Sequence, residues 1–137
     1  MKASDELKEL TLRGLEAFAG EGLGFFTHRI AQQDGVLAIG TDPTEWWEGY
    51  ETITQIFKAQ SEAMQGMAVA KSETQAYSEG SVGWAASQLV FRLPDGTEFP
   101  VRLTIVYHQE NGEWKVVQWH GSVGVANEAS FGEDIPT

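Results

Sequence analysis

Val101-Arg102-Leu103-Thr104-Ile105-Val106-Tyr107-His108-Gln109-Glu110-Asn111-Gly112-Glu113-Trp114-Lys115-Val116-Val117-Gln118-Trp119-His120 is the stretch on which the reading of this chain turns. Apolar residues recur at every second position on both sides of Glu110-Asn111-Gly112. That is the period of a β-strand, not of a helix. So short a turn joins antiparallel neighbours, so the stretch reads as a hairpin. Two further turn signals lie upstream, Ser78-Glu79-Gly80-Ser81 and Pro94-Asp95-Gly96. The three turns delimit strands near 67–78, 82–93, 98–109 and 113–125. Each strand has about 12 residues and is roughly 40 Å long at about 3.3 Å per residue. Sheets twist, so a meander of strands this long must curve strongly.

Before Gly66 the period is helical. Ser4 is a good N-cap, with Leu7, Leu10, Gly14, Leu15 and Phe18 at helical spacing behind it. Gly20, Gly22 and Gly24 interrupt the pattern, and a second short helix is expected around Leu23 to Ala31. Val36 to Ile39 reads as a short buried strand that runs into the loop Gly40-Thr41-Asp42-Pro43. A third helix carries the stripe Ile53, Ile56, Phe57, Gln60 and Met64. The order predicts an α+β domain in which three N-terminal helices pack over the concave face of a bent antiparallel sheet. Such an arrangement makes a cup.

The totals bound the rest. A chain of 137 residues fits one domain, expected to span 1–127, with a loosely ordered tail over 128–137. Nine Lys and Arg against twenty Asp and Glu give a net charge of −11. A chain this acidic repels phosphate backbones, which argues against nucleic acid and anionic membranes as partners. There is no Cys, hence no disulfide, no zinc ribbon and no thiol nucleophile. His28, His108 and His120 have no metal-ligand spacing, and no cofactor motif is present, so neither a metal nor a cofactor is expected. No apolar run approaches the roughly 18 residues of a membrane span, and the expected location is cytoplasmic.

The late strands have an unusual feature. One face of 101–107 is wholly apolar or aromatic, and the other mixes Arg102, Thr104 and His108 with Val106. In the last strand both faces are partly apolar. Two coverings are then needed, helices on one side and a second copy of the chain on the other, which predicts a homodimer through the sheet. A few polar groups among apolar ones is also the composition of a ligand pocket.

Gly112-Glu113-Trp114-Lys115-Val116-Val117-Gln118-Trp119-His120-Gly121-Ser122 resembles the last strand of SnoaL-like proteins in the nuclear-transport-factor-2-like superfamily. Gly40 to Ile53 resembles the segment that enters the third helix in that superfamily. The resemblance implies a cone-shaped, cystatin-like fold, often dimeric through the outer side of the sheet. It also implies that Trp114, Val116, Gln118 and His120 point into the cone, with Arg102 and Thr104 inward beside them. It does not imply one activity, because the superfamily holds isomerases, cyclases, dehydratases and hydrolases as well as association domains. Ketosteroid isomerase chemistry is disfavoured: the first helix has no Tyr, and Thr104 stands about where that family's strand carboxyl would be.

Against this background His120 reads as a general acid or base, or equally as a hydrogen-bonded core histidine. Asp42 reads as a base at the cavity mouth, or as a turn former before Pro43. Glu45 has the same two readings, a base or an acid near a helix start. Arg102 reads as the cation that orients an anionic group, or as an ion-pair partner of Glu73 or Glu98. Thr104 and Gln118 are candidate polar ligand contacts. Trp46, Trp47, Trp84 and Trp114 are candidate pocket walls, with Trp46 and Trp47 placed to act as a gate. Two functions follow. The first is a domain that binds a small hydrophobic or aromatic molecule, with isomerisation, cyclisation or hydration by acid/base chemistry as the reaction. The second is a non-catalytic association module with a vestigial pocket.

Overall fold

The three turn signals each become a tight connection in the computed structural model, which describes residues 1–20 and 22–137. The four long strands are β4 (Ala68–Glu79), β5 (Val82–Arg92), β6 (Glu98–Glu110) and β7 (Glu113–Ser122). They pair in sequence order, all antiparallel. At the last turn both Asn111 (φ 50°) and Gly112 (φ 78°) are left-handed. An Asn-Gly pair tolerates this conformation, and it matches the twist of the flanking strands.

Three short strands extend the sheet. β1 (Lys2–Ala3) lies against β4, and β2 (Leu37–Ile39) pairs with both β7 and β3 (Trp46–Glu48). The order is β1-β4-β5-β6-β7-β2-β3 in a sheet that does not close. One expectation is thereby corrected and one hairpin is added. The sheet is mixed, because β2 runs parallel to β7. Trp46 and Trp47 lie within a strand, part of a β2–β3 hairpin too short to announce itself by periodicity.

The helices are α1 (Asp5–Ala19), α2 (Leu23–His28) and α3 (Tyr50–Ala63), with a short exposed α4 (Asn127–Phe131) in the C-terminal segment. Ser4 caps α1 by accepting a hydrogen bond from the Leu7 N–H at 3.2 Å. α2 ends before the expected Ala31, because the chain there is claimed by the sheet. Val116 N–H donates to the Arg29 carbonyl, and Ala31 N–H donates to the Val116 carbonyl. Among the described residues no helix is long and apolar enough to cross a membrane.

The core lies between the helices and the inner face of the sheet. Ala85, Leu89, Leu103, Ile105 and Tyr107 are buried on β5 and β6. α1 contributes Leu7, Leu15 and Phe18, and α3 contributes Ile53 and Phe57. The approach of α1 is close at Gly83, where a Cβ would fall 2.3 Å from Leu7 Cδ1. Only glycine leaves the space that Leu7 fills.

One irregularity positions everything downstream of it. On β6 the neighbours Val106 and Tyr107 pair with Gln118 and Val116, so Val117 is an extra residue in β7. A β-bulge of this kind breaks the alternation of faces. Trp114 and Val116 are buried before it, and Gly121 after it, while Gln118 and His120 are exposed.

Candidate functional site

The wide end of the cone is hollow. A cavity of about 290 Å³ lies between α1, α3 and the inner faces of β5, β6 and β7. Its buried lining includes Leu15, Phe18, Phe57, Leu89, Phe91 and Leu103. Phe57 is the hub of the aromatic wall, with ring centroids 5.7 Å from Phe18, 5.7 Å from Trp119 and 6.2 Å from Trp47. The contacts are tilted or edge-on, the arrangement aromatic quadrupoles prefer. The half-exposed rim carries Trp47, Met64 and Phe99 together with Glu45 and Gln60.

Glu45 is the one charged residue among the described lining of this cavity. Its position follows from the Gly40–Glu45 turn. Gly40 N–H donates to the Glu45 carbonyl, and Glu45 N–H donates to the Asp42 carbonyl, both at 2.9 Å. The side chain folds back over Gly40, where a Cβ would meet the Glu45 Cβ and Cδ at 2.8 Å. The carboxylate is then fixed by two donors. Asp42 N–H reaches Oε1 at 2.8 Å, and the Gln60 side-chain amide reaches Oε2 at 2.6 Å. A carboxylate has about four acceptor positions. The two protein donors leave two of them free.

The residues singled out from sequence are dispersed by this geometry. Trp47 lines the cavity. Trp46, next to it on β3, is 60% exposed. Trp114 is buried in the narrow end of the cone, where its indole N–H donates to Glu6 Oε2 at 3.3 Å. Trp84 lies on the outer face of the sheet, stacked on Tyr77 with centroids 5.0 Å apart. The inward placement of Arg102, Thr104, Gln118 and His120 is corrected, since all four are exposed on the outer face. Two causes account for them. Arg102 and Thr104 alternate with Val101, Leu103 and Ile105, which the helices bury. Gln118 and His120 are turned outward by the bulge at Val117. Asp42 is exposed in the turn, where its carboxylate accepts from Thr44 Oγ1 at 2.6 Å and Thr44 N–H at 2.9 Å. These bonds hold its carboxyl below the usual carboxylate range. Among the described residues no cluster of His, Asp or Glu could hold a metal ion.

Of the acids weighed from the sequence, Glu45 is the one at the cavity, while Gln60, Phe57 and Trp119 are the lining residues that sequence reading passes over. One signal for them was present. Gln60 is a polar residue within the apolar stripe of α3, and a polar group on a buried face needs a partner.

Fold and cavity together define a SnoaL-like domain. The family model of that description matches residues 8–126, and the chain belongs to this family. No curated protein matches the chain in sequence. Solved structures with the same fold are numerous and distant. An NTF2-like protein of unknown function from Pseudomonas putida KT2440 is 16% identical, with a TM-score of 0.70 over 93% of this chain and 94% of that one. A protein with a cystatin-like fold from Nostoc punctiforme is 17% identical, with a TM-score of 0.71 over 90% and 96%. A candidate ketosteroid isomerase from Parabacteroides distasonis is 16% identical, with a TM-score of 0.67 over 88% and 89%.

Proposed function

We propose that this SnoaL-like domain binds a small hydrophobic or aromatic molecule in the hollow end of its cone. The observation that carries the reading is the cavity, with its aromatic wall and a single fixed carboxylate at the rim. An apolar cavity of about 150 Å³ takes up benzene. The 290 Å³ here is about twice that, room for two fused rings. Few polar groups in a largely apolar concavity is the usual make-up of a small-molecule site. Glu45 is also the titratable group on the cavity wall, so acid/base chemistry on the ligand, such as isomerisation, cyclisation or hydration, would run through its carboxylate. His120 and Asp42 are not brought to the wall.

The test is a cavity filled from inside. A Cβ at Gly121 meets nothing nearer than 3.9 Å, and its φ is not left-handed, so Gly121→Leu places a side chain in the cavity without backbone strain. Binding of naphthalene derivatives is measured by calorimetry and by the rise in unfolding temperature that any ligand of the folded state produces. The wild-type chain should bind and the filled variant should not. Equal behaviour of the two would overturn the reading.

We also propose that two copies pair through the outer face of the sheet. Support comes from the stacked Tyr77 and Trp84 and from half-buried Ala86 and Val106 beside them. Flat apolar surface of this kind is a common interface composition. Sedimentation that gives only a 15.1 kDa species would exclude the dimer.

A further inference from the structure

A hollow aromatic wall alone suits many ligand classes, and the charges around the cavity narrow the choice. We infer that the cavity selects a small aromatic molecule bearing a hydrogen-bond donor, and foremost a protonated amine, over one bearing a carboxylate. The inference rests on the proposed binding role of the cavity.

Three independent observations support it. The first is the fixed carboxylate. Glu45 keeps two acceptor positions free after the Asp42 N–H and Gln60 amide bonds, and acceptors recruit donors. The turn is shaped around this side chain, since any residue larger than glycine at position 40 would collide with it. The second is the missing cation. Among the described residues no Lys, Arg or His lines the cavity, and Arg102 lies on the other side of the sheet. An anionic ligand group would then be desolvated beside a carboxylate with no counter-charge, which is costly. The third is the wall itself. Trp47, Phe57 and Trp119 line the cavity, and aromatic rings carry negative π-density that attracts ammonium groups. The net charge of −11 adds a field of the same sign.

The experiment uses three probes with one ring system: 2-naphthylmethylamine, 2-naphthylmethanol and 2-naphthoate, at pH 7 and about 0.15 M salt, where the long-range field is screened beyond about 8 Å. Affinities are measured for the wild-type chain, Glu45→Gln, Gly40→Ala and Gly121→Leu. In the wild type the amine should bind at least about tenfold more tightly than the carboxylate, with the alcohol between. Glu45→Gln should bring amine and carboxylate to within about threefold of each other, since its amide still offers an acceptor but no charge. Gly40→Ala keeps the carboxylate but displaces it, and should shrink the gap in the same direction. A carboxylate probe that binds the wild type as tightly as the amine would overturn the inference while leaving the cavity reading intact. So would an amine preference that survives Glu45→Gln undiminished. If no probe distinguishes the wild type from Gly121→Leu, the cavity reading fails and this inference falls with it.

Discussion

The two ends of the cone are built from the same strands and treated oppositely. At the narrow end α1 lies so close to the sheet that Leu7 occupies the place of a Gly83 side chain. Thr11 and Tyr107 meet there across a 2.8 Å hydrogen bond, and about 10 Å³ of space is left between them and Ile105. That is no more than one water needs. At the wide end the same inner faces of β5 and β6 enclose about 290 Å³. The narrow end is where the fold is held, and the wide end is where we propose that a ligand fits. Native interiors are close-packed, so a hollow of this size inside an otherwise filled domain points to use and not to poor packing.

The largest effect is expected where the two ends join, at the bulge. There the extra Val117 passes the inward positions of β7 from Val116 to Trp119 and Gly121. Trp119 packs on Phe18, Phe26 and Phe57, so Trp119→Ala strips the aromatic wall. The expected cost is about 4 kcal/mol, read by denaturant unfolding. A loss below about 1 kcal/mol would show that the wall lines the hollow without holding the fold.

Next comes the narrow end alone. Leu7 is fully buried, and Leu7→Ala should cost about 3 kcal/mol, measured by denaturant unfolding. Affinity for an aromatic probe should stay within about twofold, because sites this separate act additively. Lost affinity at equal temperature below the unfolding transition would mean that the two ends are coupled.

A comparable contribution is removed by base. Thr11 Oγ1 donates its proton to the Leu7 carbonyl at 2.7 Å, so in the Thr11–Tyr107 pair the phenol is the donor. Burial of Tyr107 pushes its pKa up to about 12. The unfolded chain loses this proton near pH 10, and the folded chain keeps it until about pH 12. The raised pKa therefore contributes stability that is fully present below pH 10 and lost as pH rises through 12, up to about 3 kcal/mol. Tyr107→Phe should flatten this part of the stability profile. A profile with the same slope in both proteins would assign the base sensitivity elsewhere.

These contrasts also explain what the sequence discloses. The meander was legible because Gly80, Gly96 and Asn111-Gly112 mark its turns and strands of 11 and 13 residues separate them. The helices were legible from Ser4 and from their stripes. The site was not, for two physical reasons. A bulge is a single extra residue that composition does not reveal, and Val117 between Val116 and Gln118 looks like any strand position. Glu45 takes its place from a turn whose geometry depends on a glycine five residues earlier, and a half-exposed acid in a polar loop resembles many others. Glu45 was legible only as one acid beside Asp42, and Gln60 carried a trace as a polar residue on a buried stripe.

The smallest effect sharpens the comparison most, because it separates neighbours one residue apart. Trp46 and Trp47 occupy successive positions of β3, and so face opposite sides of the sheet. Trp47 lines the cavity and meets Phe57 edge-on, whereas Trp46 is 60% exposed. Trp46→Ala should change stability by no more than about 0.5 kcal/mol and leave probe affinity unchanged, as should His120→Ala on the outer face. Trp47→Ala should weaken an aromatic probe about tenfold, since a buried aromatic contact is worth roughly 1.4 kcal/mol in binding. Composition cannot tell these indoles apart, so a difference between them can come only from the pleat. If both substitutions weakened binding equally, the ligand would have to sit over the edge of the sheet instead of inside the cone. The hollow end would then lose its claim to be the site.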